Sequence, residues 1–392
     1  MTLPDFHNLS LAFRQYDAKS LKRAQRLFSL ISWPWLVRAG SAMISLSLML
    51  RLPLKWALKP TVFRHFCGGE TLSECKPVVE KLQSFGIRSV PDYSVEGNPD
   101  ESHMEKLWNE VMKVIEWSAN DSAIPFAVFK PSGLIRPDLL EKISTGIILN
   151  ASENEAWSRG RQRLISLCES AAGKGTSILI DAEESWIQPA IDEVVMEMML
   201  KLNHDRAVVF NTLQMYRHDR LQHLEDVLSQ SLQKGFVPAF KLVRGAYMEK
   251  ERKRAARLGL ISPVYSSKKE TDEAFDQALT MMLAHPGNAA VFCGSHNENS
   301  NLLLCRLMAE YGLEPACSRI WFSQLFGMSD HITHNLASAG YQVCKYLPYG
   351  ELRHVIPYLL RRAQENTSVA GQSGRELSMI RAEMQRRKKQ ER

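Results

Sequence analysis

The stretch Phe240-Lys-Leu-Val-Arg-Gly-Ala-Tyr247 shows the pattern that decides the fold. An apolar run carrying two cations, Lys241 and Arg244, is followed by a small Gly-Ala step and an aromatic residue. A short apolar run bounded by a turn signal is typical of a strand in a parallel sheet. Small residues at its end allow a planar or phosphorylated ligand to approach the backbone closely. The alternative is a strand followed by a tight turn with no ligand, and the stretch alone leaves both interpretations open.

The same kind of apolar run recurs along the chain, and helical patterns such as residues 220–233 and 272–284 lie between the runs. Strands that alternate with helices favour a parallel sheet, and eight strands is the number that closes the common barrel. A doubly wound dinucleotide-binding sheet would need Gly-x-Gly-x-x-Gly after an early strand, and the sequence lacks that motif. We therefore predict an α/β fold: a (β/α)8 TIM-type barrel preceded by an N-terminal helical segment. The predicted strands are residues 87–93, 126–130, 177–181, 207–214, 237–244, 289–296, 320–324 and 342–346.

A polar or aromatic residue stands at the end of each predicted strand. In a barrel these side chains converge on the C-terminal face, where such enzymes place their active sites. One such residue says little, because a strand often ends in something polar, but the convergence of eight favours an enzyme. The residues are Tyr93, Lys130, Asp181, Gln214, Arg244, His296, Gln324 and Tyr346.

The last helical stretch of the predicted barrel, residues 351–366, carries Tyr358, Arg361, Arg362 and Glu365 on one face. The face could be solvated, with Glu365 paired to an arginine. Alternatively, the adjacent arginines could clamp a small carboxylate, because guanidinium groups match carboxylate geometry. Spacing alone does not decide between the two.

Two further strand ends allow more than one interpretation. Lys130 could form a Schiff base, act as a fixed cation or simply be exposed to solvent. Ser295-His296-Asn297 supplies hydrogen-bond donors for a ligand or merely caps the next helix.

Composition indicates a folded globular protein, with 45% hydrophobic and 23% charged residues and a formal charge of +6. The seven cysteines form no CxxC pair and no zinc-like spacing with histidines, which predicts reduced thiols and no metal site. No basic and aromatic stripe indicates nucleic acid. The basic run at the end is expected to be a solvated tail, with contact to an anionic membrane as the alternative. The run consists of Arg386, Arg387, Lys388, Lys389 and Arg392.

Residues 27–58 are the most apolar part of the chain, but Arg38, Arg51 and Lys55 interrupt them. The longest uncharged run, residues 39–50, has 12 residues, whereas a membrane-spanning helix needs roughly 20. The N-terminus also lacks the early apolar run of a signal peptide. These features predict a soluble protein with, at most, peripheral membrane contact.

Several motifs that occur together and in order closely resemble those of the FAD-dependent proline dehydrogenases. The resemblance runs from about residue 68 to residue 366, and the motifs are more specific jointly than singly. The motifs are Lys241-Leu-Val-Arg-Gly-Ala-Tyr247, Ser295-His-Asn-Glu298, Gln324-Leu-Phe-Gly-Met328, Lys345-Tyr-Leu-Pro-Tyr-Gly350 and Tyr358-Leu-Leu-Arg-Arg-Ala-Gln-Glu-Asn366, preceded by Gly69-Glu70, Asp92-Tyr-Ser-Val-Glu96, Phe129-Lys130 and Ile180-Asp-Ala-Glu183.

The resemblance implies oxidation of L-proline to Δ1-pyrroline-5-carboxylate, with hydride transfer to FAD and electrons passed to a membrane quinone. It implies that Lys130, Arg361 and Arg362 hold the substrate carboxylate and that Glu70 pairs with Arg361 as a gate. It places Tyr247, Leu325, Tyr346 and Tyr358 around the substrate ring, with Asp181 close by. The implied catalytic residues are Lys130, Asp181, Tyr346, Arg361 and Arg362, and the implied flavin-binding residues are Gln214, Lys241, Val243, Arg244, Gly245, Ala246, Ser295, His296, Asn297 and Glu365.

The chain departs from many bacterial relatives at two positions. Met248 stands where a tryptophan would stack on adenine, and Lys241 stands where arginine is common. Nothing after the barrel resembles an aldehyde dehydrogenase, so a separate pyrroline-5-carboxylate dehydrogenase is expected as partner. The expected division is a helical arm over residues 1–60, a barrel over 61–366 and a basic tail over 367–392.

The expected location is the cytoplasm with peripheral contact at the inner membrane, or the mitochondrial inner membrane and matrix in a eukaryote. Two competing functions remain at this point: a lyase or aldolase that uses Lys130 as a Schiff-base amine, and a binding or scaffold protein on a decayed barrel.

Overall fold

Eight parallel strands form one sheet in the order β1-β8-β7-β6-β5-β4-β3-β2. The computed structural model describes residues 3–31, 33, 35, 58–94, 100–368 and 372–390, without the side chains of residues 363–368, 372 and 373. The prediction of a (β/α)8 barrel preceded by helices is confirmed. The strands are β1 (Arg88–Tyr93), β2 (Phe126–Phe129), β3 (Ser177–Ile180), β4 (Val209–Gln214), β5 (Ala239–Val243), β6 (Ala290–Gly294), β7 (Ile320–Leu325) and β8 (Val343–Tyr349).

The helices that connect the strands begin and end where local chemistry dictates. Asn150 and Ser267 each form a capping box with the glutamate three residues later. Gly235 and Gly259 adopt left-handed conformations that end two helices. The α-helices of the described residues are α1 (Leu9–Ala12), α2 (Ala18–Ile31), α3 (Arg64–Phe66), α4 (Leu72–Gln83), α5 (Glu101–Asn120), α6 (Pro137–Ser144), α7 (Ala151–Gly173), α8 (Gln188–Leu202), α9 (Arg220–Lys234), α10 (Met248–Leu258), α11 (Lys268–Ala284), α12 (Glu298–Glu310), α13 (Asp330–Ser338), α14 (Leu352–Ser368) and α15 (Gln372–Gln390).

The eighth strand is longer than the sequence predicted, since β8 continues to Tyr349 instead of ending at Tyr346. The reason is extra pairing at its end: Gly68 N donates to Pro348 O at 2.8 Å, and Gly69 bridges Tyr349. On the opposite side of the sheet, Ser89 N donates to the Ala123 carbonyl just before β2, which brings β1 beside β2. The sheet is therefore a nearly closed barrel.

The two-residue period of the strands separates two hydrophobic layers. One set of side chains fills the space between sheet and helices, and the other fills the barrel interior. In the interior, the Phe126 ring packs edge-on against three aromatic rings at centroid distances of 5.1 to 5.5 Å, which plugs the barrel below its C-terminal face. The interior layer consists of Val90, Phe126, Val128, Leu179, Phe210, Ala239, Ala290, Phe292, Trp321, Cys344 and Tyr346.

The C-terminal segment is helical before and through most of its basic run, in which Arg386 and Arg387 are half-buried and Lys388 and Lys389 are exposed. It forms α15, which packs against α2 through Leu377, Ile380 and their neighbours. The Glu383 side chain is fully buried and accepts hydrogen bonds from Arg386 and Arg387. Charge neutralisation within the helix explains why a basic segment can pack.

The predicted N-terminal helical arm is confirmed where it is described, in α1 and α2. The uncharged run at residues 39–50 lies outside the described residues. Within the described part of the chain, no helix is both long and apolar enough to cross a bilayer.

Candidate active site

Lys241 and Tyr346 reach the barrel interior because of strand periodicity. In β5, Phe240 and Leu242 face the surrounding helices, so Lys241 between them faces inward. Tyr346 of β8 belongs to the interior layer for the same reason. Both side chains therefore meet above the aromatic plug of the barrel.

An ion cluster forms where these two side chains meet Asp181, which directly follows β3. Lys241 Nζ lies 2.6 Å from Asp181 Oδ1, and Lys241 donates to the Tyr346 hydroxyl at 3.0 Å. The hydroxyl of Tyr346 in turn donates to Asp181 Oδ1 at 2.9 Å. The Lys241 ammonium also lies 4.1 Å from the centre of the Tyr346 ring, within cation–π range. We call Lys130, Asp181, Lys241 and Tyr346 the central cluster.

Lys130 completes the central cluster from the end of β2. Its Nζ lies 3.2 Å from Asp181 Oδ2 and 3.9 Å from Asp92 Oδ2. Asp92, in β1, was not among the predicted site residues, although it precedes the strand-end residue Tyr93. Its carboxylate also accepts a 2.7 Å hydrogen bond from Ser94. The site therefore holds two lysines and two aspartates in close proximity.

Electrostatics fix the protonation states in the central cluster. Burial alone would lower the pKa of Lys130, but the carboxylates of Asp92 and Asp181 outweigh it and raise the pKa above its usual value. For Asp181, burial is outweighed by Lys241 and Lys130, which hold its pKa below its ordinary value. Burial and the Asp181 charge raise the pKa of Tyr346. At neutral pH Lys130 is thus an ammonium, Asp181 a carboxylate and Tyr346 a neutral phenol.

Glu183, two residues after Asp181, is a second carboxyl that the sequence left without a role of its own. It accepts a 2.6 Å hydrogen bond from Ser132 N, in the turn directly after Lys130, and bonds the Ser132 hydroxyl as well. Burial raises its pKa to about 7, against the opposing effect of the Ser132 bonds. Nearby Tyr247 has a raised pKa because of burial and the Glu183 charge. Tyr247 therefore stays a neutral phenol beside the central cluster.

A second group of polar residues lies at the ends of β5 and β6. Arg244 donates to Asp272 at 2.5 Å and to the Ser295 hydroxyl at 2.7 Å. Lys268 also bonds Asp272, so two cations share this carboxylate, and a second carboxylate, Asp276, accepts from the Ser300 hydroxyl to which Arg244 donates. Asn297 caps α12 by accepting from Ser300 N. The edge is suited to an anionic group.

The Gly245-Ala246 step is exposed and lies over the Tyr216 ring. A Cβ on Gly245 would lie 2.5 Å from that ring, and its φ of 142° also requires glycine. Ala246 N donates to Gln214 Oε1 at 2.9 Å, and Gln214 donates to the Glu183 carbonyl at 2.7 Å. These hydrogen bonds hold the exposed backbone of Gly245 and Ala246 in place just before Tyr247 and Met248. The side chain of Met248 is also exposed.

His296, which follows β6, contacts the end of β7 and the loop after it. Its Nδ1 lies 2.9 Å from the Ser329 hydroxyl, and its Nε2 lies 3.5 Å from the backbone N of Leu325, the last residue of β7. Burial, Lys345 and Arg362 lower the pKa of His296 to about 3, so the imidazole is neutral at physiological pH. The guanidinium of Arg362, in α14, thus contributes to the low pKa of His296.

The predicted arginine face of α14 includes a buried tyrosine. Tyr358 is buried, and the Arg362 guanidinium lies 5.2 Å from its ring centre. Arg361 is half-buried on the same helix, and the Glu365 side chain lies outside the described residues. Glu70 accepts from Leu352 N, at the start of α14, at 3.1 Å and pairs with Lys59 at 2.7 Å.

Two of the predicted strand-end residues have other surroundings. Gln324 is buried, donates to the Ser295 carbonyl and accepts from the Thr333 hydroxyl, so it links the segment after β6 to α13 on the helix side of the sheet. Tyr93 packs against Tyr349 at a centroid distance of 5.3 Å.

A barrel of this kind, with fixed ammonium and carboxylate groups above a plugged interior, defines the chain as an enzyme of the (β/α)8 class with its site at the C-terminal face. The family model described as Proline dehydrogenase matches residues 75–375. The chain belongs to the proline dehydrogenase family and is thus an oxidoreductase of proline catabolism.

Similar proteins agree with this membership. The carbapenem antibiotics biosynthesis protein CarD of Pectobacterium carotovorum subsp. carotovorum is 36% identical over 322 residues, which cover 82% of this chain and 83% of that protein. The hydroxyproline dehydrogenase of Xenopus laevis is 30% identical over 412 residues, covering 96% of this chain and 88% of that protein. Human mitochondrial proline dehydrogenase 1 is 38% identical over 238 residues, covering 60% of this chain and 40% of that protein.

Solved structures share the fold. Proline utilization A from Bdellovibrio bacteriovorus, inactivated by N-propargylglycine, superposes with a TM-score of 0.70 at 20% identity over 93% of this chain. The present chain spans 36% of the length of that protein.

Proposed function

We propose that the chain oxidises L-proline to Δ1-pyrroline-5-carboxylate, with FAD as hydride acceptor and a membrane quinone as the final acceptor. The observation that carries the proposal is the central cluster, in which Lys130 is held as a cation by Asp92 and Asp181. In the reaction the C5–H bond of proline breaks, its electron pair leaves as hydride, the C5=N bond forms, and the ring nitrogen loses a proton. FAD, when bound, supplies the acceptor for that hydride.

Proline is small and rigid, so its carboxylate is the main group through which the protein can bind it. We assign its binding to Lys130, Arg361 and Arg362, because charge-assisted hydrogen bonds from cations are the strong ones. The raised pKa of Lys130 keeps the cation in place and opposes a Schiff-base role, which needs a neutral amine. A lyase that uses Lys130 as a Schiff-base amine is therefore disfavoured.

The substrate ring is assigned to a wall of Tyr247, Leu325, Tyr346 and Tyr358. Asp181 holds the Tyr346 hydroxyl and Lys241, so it positions this wall and the nearby cation together. Hydride leaves carbon more easily when the adjacent amine is neutral. The cations around the substrate favour that neutral form, because a second positive charge nearby is unfavourable.

Glu70 is proposed to pair with Arg361 as a gate over the substrate. Supporting this role, Glu70 already contacts the first residue of α14, the helix that carries Arg361.

FAD fits the second polar group at the ends of β5 and β6. Arg244 and Lys268, which share Asp272, supply cations for a pyrophosphate, and the Gly245-Ala246 step, which packs against the Tyr216 ring, exposes backbone that a ligand can approach. Met248 is exposed and offers no aromatic face for adenine. The residues proposed to hold FAD are Gln214, Lys241, Val243, Arg244, Gly245, Ala246, Ser295, His296, Asn297 and Glu365.

The proposed partners are a membrane quinone and a separate pyrroline-5-carboxylate dehydrogenase, with no nucleic acid. The proposed location is the cytoplasm with peripheral contact at the inner membrane, or the mitochondrial inner membrane in a eukaryote. Several mitochondrial proline dehydrogenases among the similar proteins support the second setting.

A visible spectrum of the purified protein tests the proposal directly. Flavin bands should be present and should bleach when L-proline is added without oxygen. Reoxidation by a soluble quinone analogue should be much faster than reoxidation by oxygen. A colourless protein would favour the lyase, comparable reoxidation rates would indicate an oxidase, and a yellow protein without turnover of a dye acceptor would favour a binding protein.

A further inference from the structure

The loop after β7 adopts a backbone conformation that its sequence does not favour. Ser329 has φ of 50° and ψ of 44°, the left-handed region that side chains other than glycine and asparagine rarely occupy, and it is buried. A conformation of this kind persists only where surrounding contacts hold it. Contacts from α15, outside the barrel, and from the barrel itself hold this loop.

Glu376 of α15 provides the first of these contacts. Its Oε1 accepts a 2.7 Å hydrogen bond from Ser329 N, and the Glu376 side chain is buried. The next residue, Asp330, is held from two further directions. Lys345 of β8 pairs with it at 2.7 Å, and the hydroxyl of Tyr16, just before α2, donates to it at 2.7 Å.

The Ser329 side chain faces the site. Its hydroxyl lies 2.9 Å from His296 Nδ1, whereas His296 Nε2 lies 3.5 Å from Leu325 N. A backbone N–H can only donate, so Nε2 must be the unprotonated nitrogen if it takes part in that contact. The proton of the neutral ring then sits on Nδ1 and is donated to Ser329 Oγ. The hydrogen bond made by one ring nitrogen commonly determines which tautomer a histidine adopts.

We propose that Ser329 and Glu376 are positioning residues for His296. Glu376 holds Ser329 in its left-handed conformation, and the Ser329 hydroxyl accepts a hydrogen bond from Nδ1–H while Nε2 accepts from Leu325 N. These two contacts fix the tautomer and the orientation of the imidazole that is assigned to FAD. The C-terminal helix α15, outside the barrel, thereby controls a cofactor-binding side chain inside the site. The proposal rests on the proposed function only in its assignment of His296 to FAD.

The tautomer is measured on protein labelled with [15N]histidine, using long-range 1H–15N correlations, with His296→Asn to identify the signal. The unmodified protein should show His296 protonated on Nδ1. Ser329→Ala should move the ring toward the Nε2 tautomer and weaken FAD binding to the apoprotein about 3- to 10-fold, the range for loss of one hydrogen bond. Ser329→Gly also removes the hydroxyl but relieves the backbone, so it gives the same result in a protein that folds more readily.

Glu376→Gln should retain the Nδ1 tautomer, because the amide oxygen still accepts from Ser329 N, whereas Glu376→Ala should lose it. Ser89→Ala is the matched control: Ser89 is buried at the opposite end of the barrel, and its variant should change neither the tautomer nor FAD affinity.

An unchanged tautomer in both Ser329 variants would overturn the proposal. A changed tautomer with unchanged FAD affinity would also overturn it, since the link to the cofactor would be absent. If the unmodified protein bound no FAD while the tautomer responded as expected, the proposed function would fail and the Ser329–His296 link would stand.

Discussion

The ammonium of Lys241 lies 2.6 Å from Oδ1 of Asp181, although 60 residues separate them in the sequence. Lys130 approaches the other oxygen of the same carboxylate at 3.2 Å. The Asp181 carboxylate therefore compensates Lys241 and shares the compensation of Lys130 with Asp92, and it also accepts from Tyr346. Removing the charge of Asp181 would leave Lys241 without this carboxylate and Lys130 with Asp92 alone, and an uncompensated buried cation is costly.

Asp181→Asn should therefore lower the free energy of unfolding by about 3 kcal/mol, the size of effect seen when one partner of a buried ion pair is removed. Turnover of L-proline should fall as well, because Lys241 and Tyr346 lose their common partner. Urea unfolding measures the first effect. Asp138→Asn, which removes an exposed aspartate paired with Arg136, should change stability by less than about 1 kcal/mol. If the two variants were equally stable, the central cluster would not carry the energy assigned to it.

Glu183 should make stability depend on pH. Its folded pKa of about 7 lies above the ordinary glutamate value, so between about pH 4.5 and 7 the folded state binds more protons than the unfolded state. Its contribution to stability is then fully present below that window and falls as pH rises, by about 3 kcal/mol in total. The difference in unfolding free energy between the unmodified protein and Glu183→Gln, measured from pH 4.5 to 8, should follow this course.

Glu193→Gln is the matched control for this pH experiment, because Glu193 is an exposed residue of α8. Its variant should follow the unmodified protein at every pH. A flat difference curve for Glu183→Gln would contradict the raised pKa.

Arg361→Met should raise KM for L-proline about 10- to 150-fold, since a charge-assisted hydrogen bond is lost. The carboxylate does not react, so kcat should change little. Flavin content should stay the same. Steady-state kinetics provide the measurement, and Arg381→Met, on the exposed side of α15, is the control with no expected effect. If Arg361→Met kept the wild-type KM for L-proline, Arg361 would not bind the carboxylate, and the solvated-face interpretation would stand.

Tyr346→Ser should narrow the preference for L-proline over 4-hydroxyproline. The Tyr346 ring is fixed by Lys241 and Asp181, and we expect it to crowd the ring carbon that bears the hydroxyl. The kcat/KM for L-proline should fall about 10-fold or more, because the hydroxyl contacts are lost too. Tyr346→Phe keeps the ring and should keep the preference. Equal kcat/KM for both substrates in the unmodified enzyme would argue against crowding by this ring.

Most strands and helices of the barrel were predictable because local sequence patterns determine them. Each apolar run between turn signals produced a strand, and eight strands separated by helices leave a barrel as the favoured arrangement. The strand ends Lys130 and Asp181 could be named because the topology brings them to one face. Asp92 and Glu183 could not be singled out in the same way, because each is one polar residue among several near a strand end.

The sequence by itself determined the order of the elements, the convergence of the strand-end residues on one face and the family resemblance, because these depend on period and spacing along the chain. Only the tertiary structure decided which charges compensate one another, as in the pairing of Lys241 with Asp181 and of Lys130 with Asp92. It also decided that the basic C-terminal segment packs as a helix and that Glu376 reaches Ser329. Such contacts depend on distances between segments remote in sequence, and the protonation states depend on the burial that those contacts create.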